Sequence, residues 1–267
     1  MRSSRLFAFL FASALAVSAC SSAPEPAAEE SIDAVAAAEP EGPMVTGDNF
    51  ATDTGDLVVQ PLSHATFAMA WNGSTIYVDP TGGAEMFDGL PAPDLVLITD
   101  IHGDHLDADT LAAVVAADTQ IIAPAAVIEQ LSEAAAAQAS PLANGEETSV
   151  LGLTVEAVPM YNLTEDRLGY HEMGRGNGYV VTMGGQRVYI SGDTEDIPEM
   201  RALENIDVAF VCFNLPFTVT EDQAASAVAE FAPTVMYPYH YGESDVDLFV
   251  ELLGEDSGVE VRRGAWY

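Results

Sequence analysis

Lysine is absent from this sequence, and positive charge of any kind is scarce. Eight arginines stand against 42 Asp and Glu, a formal charge of −34. A field of that sign repels phosphates, whose binding depends on cations that displace counterions, so no nucleic-acid partner is expected. Strong acidity without lysine looks like adaptation to salty surroundings, which screen the repulsion. Cysteine is nearly absent as well: Cys20 and Cys212 are the only two. If Cys20 is modified, Cys212 has no disulfide partner, and its place after the apolar Val208-Ala209-Phe210-Val211 predicts core packing. A spanning helix is not expected at the N-terminus either. Its apolar run, 6–17, is shorter than the roughly 20 residues that cross a bilayer.

That run follows Arg2 and Arg5 and leads to Val17-Ser18-Ala19-Cys20, small residues before a cysteine. The pattern predicts a removed signal peptide at 1–19, and it resembles a bacterial lipoprotein signal in which the cysteine is lipidated, the alternative being an ordinary secretory signal whose cysteine is incidental. Loss of Arg2 and Arg5 would take the formal charge from −34 to −36. Ser21 in place of Asp implies outer-membrane retention, facing the periplasm. Residues 20–47 are rich in Ala, Pro, Glu and Ser and read as a flexible acidic tether. The rest, 48–267, suits one layered domain or two fused similar halves.

Within it, 57–60, 66–70 and 74–78 read as strands, the last two joined by the hairpin signal Asn72-Gly73. The continuous apolar run at 95–99 predicts a strand buried on both faces. A helix at 111–116, a strand at 120–123 and an alanine-rich helix opened by Pro124 and reaching 137 follow. The second half repeats the plan. Strands are expected at 153–158, 178–183, 187–190, 208–212, 234–237 and 259–261. Helices are expected at 197–203, at 221–231 behind a Thr220 cap, and at 245–253. Such alternation implies an α/β fold, two sheets face to face with helices outside.

The chemistry gathers in Asp100-Ile101-His102-Gly103-Asp104-His105, four candidate ligands directly after a buried strand. Imidazole with carboxylate suits zinc and related divalent ions. His64 and His240 flank other apolar runs, as does Asp193, and loops at sheet ends build sites. Gly174, Gly176 and Gly178 precede a strand rather than a helix, which excludes a dinucleotide loop. Ser191 lies in no nucleophile-elbow context, so covalent catalysis is not expected.

The segment TDIHGDHLD at 99–107 resembles the His-x-His-x-Asp-His signature of the metallo-β-lactamase superfamily, with Asp100 in the first histidine place. SGDT at 191–194 is similar to its metal-bridging Asp segment, and YPYHY at 237–241 to its last histidine. HATF at 64–67 and YVDP at 77–80 resemble the branch containing L-ascorbate-6-phosphate lactonase and N-acylphosphatidylethanolamine phospholipase D. The resemblance implies a four-layer αββα sandwich. It also implies one metal site of Asp104, His105 and His240, bridged by Asp193 to a second site containing His102. Where relatives often place another histidine, this chain has Tyr161-Asn162, and His171 either fills the place as a ligand or binds substrate or stabilises the Gly-rich turn. Asp100 either binds the metal, adding a negative charge, or orients a histidine N–H while only one site is filled. Asp104 and His64 are the candidate catalytic residues, His64 either touching substrate at the rim or serving structure; Asp79 is expected to support a ligand.

The implied function is hydrolysis of an ester, lactone or phosphodiester by metal-activated water on one or two zinc ions, or manganese or iron. Arg167 or Arg175 would guide an anionic substrate, and the substrate would be a small or lipid-like molecule met at the envelope. The rival readings are a non-catalytic binding lipoprotein of the same fold, and redox chemistry as in iron-containing relatives.

Overall fold

Alternation along each strand decides which layer its side chains meet. The computed structural model describes residues 42–267. The expected leader, Cys20 and most of the tether lie outside the described residues. Two seven-stranded sheets run in chain order across the fold. The first contains β1 (Asp48–Thr52), β2 (Gly55–Ser63), β3 (Thr66–Trp71), β4 (Ser74–Val78), β5 (Leu95–Leu97), β6 (Gln120–Ala123) and β7 (Ala139–Pro141). The second contains β8 (Glu147–Val150), β9 (Leu153–Met160), β10 (Gly176–Met183), β11 (Gln186–Ile190), β12 (Val208–Cys212), β13 (Val235–Tyr239) and β14 (Glu260–Val261). Each sheet begins antiparallel and turns parallel after its fourth strand, at β4–β5 and at β11–β12. The two halves do repeat one plan.

Along β3, Phe67 and Met69 enter the core between the sheets while Ala68 faces outward. Along β12, Val208, Phe210 and Cys212 point inward, and Ala209 and Val211 outward. Cys212 is a free thiol buried in that inner layer. The outer faces are covered by helices. Behind the first sheet lie α1 (Ala108–Val114), α2 (Ala125–Ile128) and α3 (Glu133–Ala136), burying Leu111, Val127 and Ala135. Behind the second lie α4 (Pro198–Arg201), α5 (Glu221–Phe231) and α6 (Val246–Leu253), burying Met200, Val228 and Phe249. The order is helix, sheet, sheet, helix, the αββα sandwich. No helix among the described residues is long and apolar enough to cross a membrane.

Several expected boundaries move. The alanine-rich helix at 124–137 is broken in two, because Ser132 accepts the Ala135 N–H and caps a new start. Helix α1 begins at Ala108 rather than 111, under Asp107, whose carboxylate accepts from Asp109 and Thr110 N–H. Helix α4 is shorter than 197–203 because Pro198 starts it and Ala202 ends it. The packed domain also starts before residue 48: Val45 is buried, and the Met44 N–H donates to Gly89 O at 3.0 Å. Strands β1, β7 and β8, unforeseen, are held by ladder bonds more than by apolar alternation.

Candidate metal centre

The catalytic-looking side chains all leave from strand ends on one side of the sandwich. Asp79 follows β4, Asp100 follows β5, Asp193 follows β11, Asn214 follows β12 and His240 follows β13. Carboxyl ends of parallel strands open a crevice there, where loops diverge. Two backbone bonds tie the sheets together at this end. The Asn177 N–H donates to Thr99 O at 2.9 Å, and the His240 N–H donates to His64 O at 3.1 Å. His64 and His240 both adopt positive φ, 52° and 48°. Non-glycine residues in that region cluster at functional sites.

Every site residue expected from the sequence comes into this crevice, in three groups, the first and last sharing His240: His105, Asp193 and His240; Asp100, His102 and His171; and His64, Asp104 and His240. Asp193 stands between the first two. Its Oδ2 is 3.3 Å from both His105 Nε2 and His171 Nε2, and its Oδ1 is 3.4 Å from His240 Nε2. Asp104 Oδ2 is 3.2 Å from His240 Nε2 and 3.4 Å from His64 Nε2. On the other side, His102 Nδ1 is 2.6 Å from Asp100 Oδ2, and His171 Nε2 is 4.0 Å from the same oxygen.

Buried partners set these orientations. Asp79, fully buried, meets His105 Nδ1 with Oδ2 at 2.8 Å and accepts from Thr99 N–H and Oγ1–H at 2.7 Å each. That contact assigns the proton to Nδ1 and turns the Nε2 lone pair toward Asp193. Asn162, the departure from the family pattern, stands behind His171: its N–H donates to His171 O at 2.9 Å and its Oδ1 lies 3.3 Å from Nδ1. The loop between them is held by Glu195, buried, whose Oε2 accepts from Leu163 and Thr164 N–H.

The two arginines expected to guide substrate are otherwise engaged, which corrects that reading. Arg167 Nε lies 3.2 Å from Glu195 Oε1, and Arg175 forks onto Asp100 with Nε and Nη2 at 3.3 and 3.2 Å. In fact each arginine among the described residues is in an ion pair. Arg175 has a use of its own: its charge offsets the one that Asp100 adds in the place of the first histidine of the signature this segment resembles. The Gly-rich run is structural too. A Cβ on Gly178 would stand 2.8 Å from Ser191 O and 2.9 Å from Ile190 O, so glycine lets β10 pass close to the Asp193 loop.

The electrostatics fit a cation. Burial pushes the Asp193 carboxyl up, but His240 and His105 outweigh it and hold it well below the usual range. Asp104 is also held low: burial opposes, and the bonds from His240 and His64 prevail. Burial would strip the proton from His105, yet Asp193 and Asp79 raise it well above the ordinary histidine value. Burial likewise raises Asp100 before the His102 contact brings it below normal. His105 Nε2 and Asp193 Oδ1 are nonetheless buried with no hydrogen-bond partner among the described residues, since their close approaches are misaligned for one. Imidazole nitrogen and carboxylate oxygen converging without a completed hydrogen bond suit a divalent ion, which would take the place of the His105 proton.

A pocket of about 320 Å³ opens on these groups, lined also by Tyr170, Asn214 and Phe217. None of the three was marked in the sequence, because loop aromatics and amides carry no period. Tyr170 and Phe217 meet edge to face at the mouth, centroids 5.1 Å apart. Leu168, Met173 and Leu215, in the same two loops, are exposed as well.

Comparison with known proteins gives a consistent picture. A family model described as the beta-lactamase superfamily domain matches residues 59–240. A UPF0173 metal-dependent hydrolase of Methanopyrus kandleri is 32% identical over 225 residues, covering 75% of this chain and 94% of that protein. A crystal structure from Parabacteroides distasonis, described as a candidate metal-dependent hydrolase, superposes with a TM-score of 0.77 at 40% identity. It covers 84% of this chain and all of that one (100%). A diiron β-hydroxylase of Streptomyces venezuelae shares the fold alone, with a TM-score of 0.62 at 19% identity over 79% of this chain and 53% of that one.

Proposed function

Since this chain belongs to the UPF0173 metal-dependent hydrolases of the metallo-β-lactamase superfamily, we propose that it cleaves an ester or lactone whose acyl or alcohol arm is apolar. The observation that carries this reading is Asp193, buried between two sets of imidazoles with Oδ1 and the neighbouring His105 Nε2 both unpartnered. Asp104, His105, Asp193 and His240 would hold one ion; Asp100, His102, His171 and Asp193 would hold a second. A divalent ion bound there lowers the pKa of its water and polarises the scissile carbonyl.

The chain's own residues supply the rest. Asp104, held ionised at the pocket wall, accepts a hydrogen bond from the attacking water and orients it. Asn214 lines the pocket beside His240, its Nδ2 3.5 Å from that ring's Nδ1. Tyr170 and Phe217, with exposed Leu168, Met173 and Leu215 around them, offer apolar surface to the substrate arm and shed water from it. Among the described residues no arginine is left free to hold a phosphate, which favours an uncharged ester or lactone over the phosphodiester substrates of the resembling branch. Zinc is the proposed ion, with manganese or iron as alternatives. The proposal extends to location: the Cys20 signal supports a lipid-anchored enzyme of the bacterial envelope, meeting lipid-like molecules.

The test is a metal-stripped, purified chain given zinc, manganese or iron and assayed on chromogenic esters, lactones and phosphodiesters. Expected are metal-dependent turnover of apolar esters or lactones and its loss in His105→Ala. Stoichiometric metal with no turnover on the whole panel would make this a binding protein instead.

A further inference from the structure

The scheme above leaves Tyr267 unused, although its phenol sits beside His64. The Tyr267 oxygen accepts the Gly242 N–H at 2.8 Å and lies 2.8 Å from His64 Nδ1. The amide can only donate, so the Tyr267 proton is left to give, and Nδ1 is the acceptor within reach. The far side of the ring asks for the same arrangement. His64 Nε2 is 3.4 Å from Asp104 Oδ2, and since the ligand sets proposed for the two ions leave His64 out, an N–H rather than a lone pair complements that carboxylate. The ring has little freedom to turn away. Its residue is tied by His64 N–H to Trp266 O and by His64 O to His240 N–H, each at 3.1 Å, and it lies on the His240 ring with centroids 3.8 Å apart.

We infer that Tyr267 is a positioning residue that locks neutral His64 in the Nε2–H tautomer. The ring's one N–H thereby faces Asp104 in the free site and donates to a departing oxygen in turnover, so His64 is a donor and not the base. The bonds then run one way, Gly242 N–H to Tyr267 O and Tyr267 O–H to His64 Nδ1, and leave Nε2–H facing Asp104 Oδ2 3.4 Å away. The tautomer is a property of the chain alone; its consequence for turnover rests on the hydrolase reading proposed above.

Long-range 1H–15N spectra of the full chain, labelled with 15N-histidine and containing zinc, read the tautomer directly, with His64→Gln assigning the signal. The parent is expected to show Nε2–H at His64, and Tyr267→Phe a mixture with Nδ1–H. On an ester that is turned over, Tyr267→Phe should lower kcat roughly tenfold with KM little changed. It should cost nothing further in a His64→Gln background. An Nδ1–H signal in the parent, an unaltered tautomer in Tyr267→Phe, or additive losses in the double variant would overturn the inference. Absence of any substrate would count against the hydrolase reading and leave the spectra to decide this one.

Discussion

Asp79 shows how far a single carboxylate can govern a site it does not enter. It is fully buried, and its hydrogen bonds are spent on Thr99 and His105. Replacing it by Asn offers an amide where His105 Nδ1–H needs an acceptor. Metal affinity should fall about 10–100-fold, read by chelator competition, while the fold survives. Unchanged affinity would mean that His105 is oriented by other contacts. Cys212 shows the opposite extreme, a group whose chemistry is switched off. Burial pushes its thiol up to about 12, so almost no thiolate exists near neutrality. Iodoacetamide at about pH 8 should therefore leave Cys212 unmodified in the folded domain and label it once urea unfolds the chain.

Elements hold these residues through their ends. Helix α5 is opened by Thr220, which accepts the Gln223 N–H while Gln223 reaches back, a reciprocal cap. Thr220→Ala should cost about 1 kcal/mol, seen as a lower urea midpoint with an unchanged slope. The loop between β9 and β10 depends instead on Glu195, which ties Leu163, Thr164 and Arg167 from behind. Glu195→Gln removes the charge paired with Arg167 and should loosen the loop that carries His171. Amide exchange at 163–170 should quicken markedly while the inner strands keep their protection. Equal exchange in both forms would show the loop to be held by its own packing. Strands and capped helices were legible beforehand because periods of two and the Thr220 signal are local. The break at Ser132 was not, since alanine favours helix and the cap that Ser132 gives the Ala135 N–H is seated by the burial of Val127 and Ala135.

At the scale of the whole molecule, charge and layering act against each other. A formal charge of −34 repels itself across the surface, while the inner core between the sheets holds the halves together. Raising salt from about 0.01 to 1 M shortens the screening length from about 30 to 3 Å. Tm should climb steadily over that range; a flat or falling Tm would show that the acids are spread too widely to repel. The pairing of the two sheets also explains the site. Each contributes about half of it, Asp79 through His105 from one and His171, Asp193 and His240 from the other.

By itself the sequence determined the layers, because alternating and continuous apolar runs dictate which faces must be buried, and it named the ligating residue types because their order along the chain is distinctive. Only the tertiary structure decided which of them meet. Asn162 behind His171, Arg175 on Asp100 and Tyr267 on His64 are pairs 9, 75 and 203 residues apart. No local period records such distances. Their contact follows from packing two sheets together, which is a cooperative property of the whole core.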